Sequence, residues 1–268
     1  MTKMLRLRWT SMSLGAAVAA LAGIAAADAA ECPRKDALGT SRVLSVDART
    51  TPRVGLKSFP QTLQLADREV VLTFDDGPFP PTTSKVLAAL AQECVRATFF
   101  LIGQHAAEYP DMVKRIAREG HTVGHHSFSH PFMGHIPFEK AVADIDRGIA
   151  ADEMALRGVS TTTPSTPFFR FPYFESTQAQ LDLLQSRGIV VFGADLWASD
   201  WEEMTPEQQL KLVTDRLAAS GKGIILFHDN KARTAAMMPA FLRYLRENGY
   251  RIVHIVPSGT SQKNADAR

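Results

Sequence analysis

Two adjacent carboxylates, Asp75 and Asp76, close the apolar run Val70–Phe74 and are followed by Gly77-Pro78. Neighbouring acids repel, so such a pair needs a cation or some other compensation. An exposed Asp-Asp-Gly turn has the same sequence, and alone the pair is a weak signal. The histidines add weight. Four of the chain's eight fall within 121–130: His121, His125, His126 and His130. His126 and His130 have the spacing by which two imidazoles hold one metal ion. An Asp from another strand end would complete a His-His-Asp set that leaves positions open for water and substrate. That set suits one divalent ion, Zn²⁺ first, with Co²⁺, Ni²⁺ or Fe²⁺ also compatible.

Three more clusters mix charge with aromatic rings. In Arg170-Phe171-Pro172-Tyr173 the Arg can hold a carboxylate by a two-pronged contact. The stretch from Asp195 through Trp197 and Asp200 to Trp201 sets acids among rings that can face a sugar or fill a core. His228, after the apolar run Gly223–Phe227, has the titration range of a general acid.

The elements that would position these clusters can be read from periodicity. β-rich runs stand at 70–74, 97–102, 121–124, 167–170, 189–194, 223–227 and 251–255, with amphipathic helical stretches between them. Thr82 or Thr83 can cap the first helix. Pro110 opens another, and Thr205-Pro206-Glu207-Gln208 is a capping box with Pro at the first helical position. Strand and helix in alternation predict an α/β fold with a parallel sheet. Seven runs fit an incomplete barrel better than an open doubly wound sheet. In either, chemistry belongs at the C-terminal ends of the strands, where all five clusters lie.

Taken together, TFDDGP at 73–78, HSFSH at 126–130, RFPY at 170–173, the Ser-Asp-Trp ending at Trp201 and LFH at 226–228 resemble the five motifs of the polysaccharide deacetylase family, the NodB homology domain. The similarity spans about Glu69 to Val256. It implies a distorted, incomplete (β/α)7 barrel and metal-dependent removal of acetyl groups from N-acetylhexosamines. By position, the resemblance makes Asp75 the general base and Asp76, His126 and His130 the metal ligands. Arg170 would orient Asp75, and the Tyr173 N–H would help hold the oxyanion. Leu226 would line the acetyl pocket, Trp201 and Tyr173 would contact sugar, and His228 would protonate the leaving amine. The chain departs from the pattern at three places. His125 stands where Asn is frequent, as an outer-shell group or a fourth candidate ligand. Phe174 replaces a frequent Gly. Trp197 occupies the place of an Asp, so Asp195 or Asp200 is left to support His228. The alternatives are an O-acetyl xylan esterase, where the same metal chemistry cleaves an ester, and a glycan-binding pseudoenzyme on the same barrel, against which the intact set of Asp75, Asp76, His126, His130 and His228 argues.

The first residues differ from the rest. Lys3, Arg6 and Arg8 precede an apolar, Ala-rich run from Met12 to Ala27 and small residues at 27–29. That is a secretory leader pattern over 1–29, too short in its core to span a bilayer. It predicts export, to a periplasm or outside the cell, with no stable membrane insertion after cleavage. A 30–67 arm, a 68–257 catalytic domain and a disordered 258–268 tail would follow. The chain carries 30 basic and 28 acidic residues; the leader takes three of the former and one of the latter, so the remainder is neutral. Neutrality gives no electrostatic case for nucleic acid or an anionic membrane, and an acetylated glycan is the expected partner. Cys32 and Cys94 can pair in an exported protein, or stand as a terminal and a buried thiol.

Overall fold

The structure is a computed structural model that describes Cys32 and residues 34–259. The expected leader, and all but the first two residues of the expected tail, lie outside the described residues. The elements in chain order are β1 (Thr40–Val46), β2 (Arg53–Val54), β3 (Glu69–Asp75), α1 (Pro80–Gln92), β4 (Thr98–Leu101), α2 (Gly103–Glu108), α3 (Pro110–Arg118), β5 (Thr122–His125), α4 (Phe138–Arg157), β6 (Phe168–Phe169), α5 (Gln178–Ser186), β7 (Val190–Phe192), β8 (Leu196–Trp197), α6 (Pro206–Ser220), β9 (Gly223–His228), α7 (Ala232–Glu247) and β10 (Arg251–Pro257). All strand pairings are parallel. The main order is β1-β10-β3-β4-β5-β6-β7-β2, with β9 on β3 and β8 on β9. No pairing joins β8 to β2 among the described residues, so the barrel stays open, as the strand count predicts.

Each of the seven runs forms a strand. The segment read as an arm supplies two more, β1 beside β10 and β2 beside β7. β1 reads Thr-Ser-Arg-Val-Leu-Ser-Val, an alternating edge strand with little apolar content, which is why no continuous run marks it. The capping box at Thr205 is present, with both reciprocal hydrogen bonds, and a second forms at Thr177 with Gln180. Thr83 does not cap α1 in the expected way: Phe79 is the cap residue, and the Thr83 hydroxyl accepts from the Phe79 N–H and donates to the buried Asp229 carboxylate.

Strand pleating sorts the side chains into two layers, since residues two apart share a face. On β3, Val70, Leu72 and Phe74 pack outward with α1, α6 and α7 residues such as Leu87, Val213 and Phe241. Val71 faces inward with Phe100, Phe168, Phe192, Ile224 and Val253. A third apolar group joins α4 and α5 to Phe169 and Val191. The same alternation sets the chemistry. Thr73 and Asp75 share the inner face with Val71, and Leu226 and His228 share it with Ile224. Gly124 is inside too, where a Cβ would sit 2.7 Å from the Phe100 ring.

Candidate active site

Asp75 and Asp76 part company at the end of β3. Asp75, in the strand, stays on the inner face and is buried. Asp76 has φ 71°, a left-handed turn that swings its carboxylate toward the histidines. Arg170, fully buried, donates from Nη1 to Asp75 Oδ1 at 2.8 Å and to the Thr73 hydroxyl at 2.8 Å. Its Nη2 and Nε donate to the carbonyls of Gly193 and Phe192, and the guanidinium lies 4.4 Å from the Phe100 ring centre. Burial pulls the Arg170 guanidinium down from its ordinary value, and the Asp75 charge opposes that. The carboxylate is thereby fixed with Oδ2 3.9 Å from His126 Nε2.

His126 and His130 reach the same spot from the loop after β5. The His126 Nδ1–H donates to the Arg170 carbonyl at 2.7 Å, which leaves the Nε2 lone pair facing the cavity. Asp76 Oδ1 lies 3.6 Å from His126 Nε2 and 3.2 Å from His130 Nε2, is buried, and has no hydrogen-bond partner. The three ligand atoms fall within 4.8 Å of one another. Burial pushes the His126 imidazole down, toward the neutral form a metal ligand must have. Burial alone would raise Asp76, but the His130 contact and the charges of His228 and His126 outweigh it and hold the acid below its usual range. An orphaned carboxylate oxygen between two imidazole nitrogens fits one divalent cation.

The loop carrying the histidines is held from behind. Asp144 on α4 accepts from the N–H groups of Phe128 and Ser129 at 2.9 and 3.2 Å and from the Ser129 hydroxyl at 2.6 Å. The first N–H groups of α2 donate to the Ser127 and Phe128 carbonyls. Gly148 lets α4 approach, since a Cβ there would lie 2.5 Å from the Ser127 carbonyl carbon.

His228 closes the other side. Its Nδ1 lies 2.6 Å from Asp200 Oδ1, and Asp200 Oδ2 accepts from the His228 N–H and the Thr234 hydroxyl, each at 2.7 Å. Burial lowers the His228 imidazole, but Asp200, followed by Asp76 and Asp75, more than compensates and raises it to about 9. Nε2 faces the cavity, 3.9 Å from Asp76 Oδ2. Leu226 and Trp201 line the same cavity of about 570 Å³, together with Tyr173, Phe171, Phe174, Trp197 and Lys231. Tyr173 has φ 56°, and its ring stacks on Phe132 at 3.9 Å. Its N–H has no acceptor among the described residues.

Two expected site residues lie elsewhere. Asp195 is not in the cavity: its carboxylate accepts from Leu56 N–H, the Thr62 hydroxyl and Ile224 N–H, at 2.9, 2.8 and 2.7 Å. It ties the 55–62 loop to β9, and Asp200 is the acid at His228. His125 is not a ligand either. As the last residue of β5 it shares the outer face with Val123, and its Nδ1 pairs with buried Asp152 of α4 at 2.7 Å. Burial raises the Asp152 carboxyl to about 6. Asp144, Phe132 and Lys231 are contributors that no sequence spacing marks.

Residues 63–192 match the polysaccharide deacetylase family. A peptidoglycan-N-acetylglucosamine deacetylase of Bacillus cereus is 31% identical over 212 residues, 76% of this chain and 76% of that relative. Another of that name from the same organism is 35% identical over 139 residues, 52% of this chain and 48% of the relative. The chain therefore spans about half the length of some of the relatives it matches. Among solved structures, the peptidoglycan deacetylase of Bdellovibrio bacteriovorus superposes with a TM-score of 0.74 at 31% identity, covering 85% of this chain and 62% of that one. The chain belongs to the polysaccharide deacetylase family.

Proposed function

We propose that the protein is an exported, metal-dependent deacetylase that hydrolyses the N-acetyl amide of N-acetylhexosamine residues in a polysaccharide. One observation carries the reading. A paired base (Asp75–Arg170), a three-residue ligand set and a paired acid (His228–Asp200) converge on one cavity. The peptidoglycan deacetylases among its relatives support a substrate among amino-sugar polymers. The leader pattern and the Cys32–Cys94 disulfide support export, since such bonds persist in oxidising compartments.

Asp76, His126 and His130 would hold the ion, which supplies Lewis-acid polarisation of the acetamide and a more acidic water. The chain's own groups do the rest. Asp75, held in place by Arg170, takes the proton of the attacking water. The Tyr173 N–H meets the charge that develops on the acetamide oxygen. The C–N bond cannot break to a bare amide anion, so His228, protonated and held by Asp200, gives its Nε2 proton to the leaving nitrogen. Leu226 offers an apolar surface to the acetyl methyl group.

The test is acetate release by the purified protein from chitooligosaccharide, peptidoglycan and acetylated xylan, with chelator and with Zn²⁺ or Co²⁺ restored. Metal-dependent acetate from an amino-sugar polymer is expected, and Asp75→Asn should lower it by about 100-fold or more while binding metal as before. Full activity in Asp75→Asn would overturn the assignment of the base. Acetate from xylan alone would overturn the amide substrate.

A further inference from the structure

The turn that presents the Tyr173 N–H has a backbone that must be held. Tyr173 and Phe174 are consecutive non-glycine residues with φ of 56° and 59°. Such a conformation persists only where its surroundings over-determine it. Two backbone hydrogen bonds close the turn, from Phe174 N–H to the Phe171 carbonyl and from Glu175 N–H to the Pro172 carbonyl, each at 3.0 Å. The side chains supply the rest.

The Tyr173 ring is boxed in. Phe132 stacks on it with centroids 3.9 Å apart and planes 7° from parallel, and the His130 ring meets it at 4.6 Å and 69°. Beyond Phe132 the His135 ring lies 5.7 Å away and 14° from parallel, and His135 Nε2 is 3.5 Å from Glu175 Oε2. A row of rings thus joins the segment that carries His130 to the turn that carries Tyr173. Phe132 is itself anchored from behind. Its neighbour Met133 is buried in the third apolar group, and the Met133 carbonyl accepts from buried Gln180 Nε2 at 2.8 Å. Gln180 Oε1 in turn accepts the Thr177 N–H at 2.9 Å, in the box that caps α5. One side chain therefore ties down both segments.

Phe132 is half-exposed, but the face it lays on Tyr173 is closed to a sugar. Among the described residues Tyr173 lines the catalytic cavity and Phe132 does not. We propose that Phe132 is a positioning residue: by clamping the Tyr173 ring against His130 it aims the Tyr173 N–H at the acetamide oxygen. The inference rests on the deacetylase reading with Tyr173 as the oxyanion donor, and it adds a residue outside the five motifs.

The experiment measures kcat, KM and metal affinity for the metal-loaded wild type and its Phe132 variants on chitooligosaccharide and peptidoglycan. Phe132→Ala should lower kcat about tenfold, part of the roughly 100- to 1,000-fold cost of losing a whole oxyanion donor, with KM changed by less than about twofold. Metal affinity should not change. Phe132→Tyr keeps the flat ring and should recover most of the loss, whereas Phe132→Leu keeps apolar bulk without the ring and should not. If Phe132→Ala misfolds, the contrast between Tyr and Leu carries the same test. An unchanged kcat in Phe132→Ala, or equal recovery by Leu and Tyr, would overturn the clamp. A raised KM with kcat intact would make Phe132 a sugar contact instead, and a loss reversed by excess metal would show that it acts through His130. No acetate from the wild type would sink the deacetylase reading itself, which a dispensable Phe132 leaves standing.

Discussion

Asp200 shows how one carboxylate sets the protonation of the group beside it. It meets His228 twice, at Nδ1 and at the backbone N–H, and takes Thr234 as a third donor. The imidazole is raised to about 9 from 6.5. The protonated form, the one able to donate to a leaving amine, thus dominates at neutral pH and is lost as pH rises through about 9. The stability this pairing adds follows the same sign: fully present below about 6.5 and lost on passing about 9. Asp200→Asn should bring the alkaline limb of kcat down toward 6.5 and lower kcat by about tenfold or more. A pH–rate profile of the two proteins checks this, and an unmoved alkaline limb would mean that another group is the acid. At this scale the convergence of Asp75, Asp76, His126, His130 and His228 on one cavity was legible because their residue types are chemically specific. The choice between Asp195 and Asp200 was not, because two acids five residues apart differ only in where the chain turns. Phe174 is a related case. Its φ of 59° is one that favours Gly, so the loop keeps the shape a Gly would allow at a cost of about 1–2 kcal/mol.

The helices behind the barrel do as much for the site as its strands. The two histidines sit on a loop with no regular structure, in which Ser127 and His130 both have positive φ. What orders it is α4, through Asp144 and the close approach at Gly148, and the N-terminal turn of α2. Asp144→Ala should leave the fold intact and weaken metal binding by about 10- to 100-fold, the usual cost of losing a group that orients ligands. Competition against a chromophoric chelator, with circular dichroism as the control, measures it. An unchanged affinity would show the loop to be ordered without Asp144. None of this was visible beforehand. Asp144 is one acid among several on an amphipathic helix, and α2 is only six residues long, too short for a period of 3.6 to declare itself. The seven main strands were visible because their apolar runs are buried on both faces, whereas β1 and β2 belong to the sheet's margins and carry polar residues.

Taken whole, the molecule joins its site to a margin far along the sheet. β1 covers β10, which meets β3, the strand that ends in Asp75. The chain leading into β1 is clamped onto the end of α1. Glu93 accepts from Arg34, Arg246 and the Leu38 N–H, Arg42 on β1 holds Glu69 on β3 through two hydrogen bonds, and Cys32 is bonded to Cys94. Among the described residues none before Asp75 lines the catalytic cavity, so this clamp acts on stability and not on the chemistry. A crosslink over 62 residues removes about 4 kcal/mol of chain entropy from the unfolded state when native geometry is undisturbed. The Glu93 contacts remain after the disulfide is lost, so β1 should stay docked in the folded protein. The Cys32→Ser, Cys94→Ser double variant should therefore unfold at lower denaturant with kcat unchanged under native conditions. Equilibrium unfolding with and without reductant checks both halves: the wild type should fall to the variant's midpoint on reduction, and the variant should not respond. A variant as stable as the oxidised wild type would assign the anchoring of β1 to Glu93 and Arg42 alone. A variant that is folded but slow would mean that β1 communicates with Asp75 through β10 and β3.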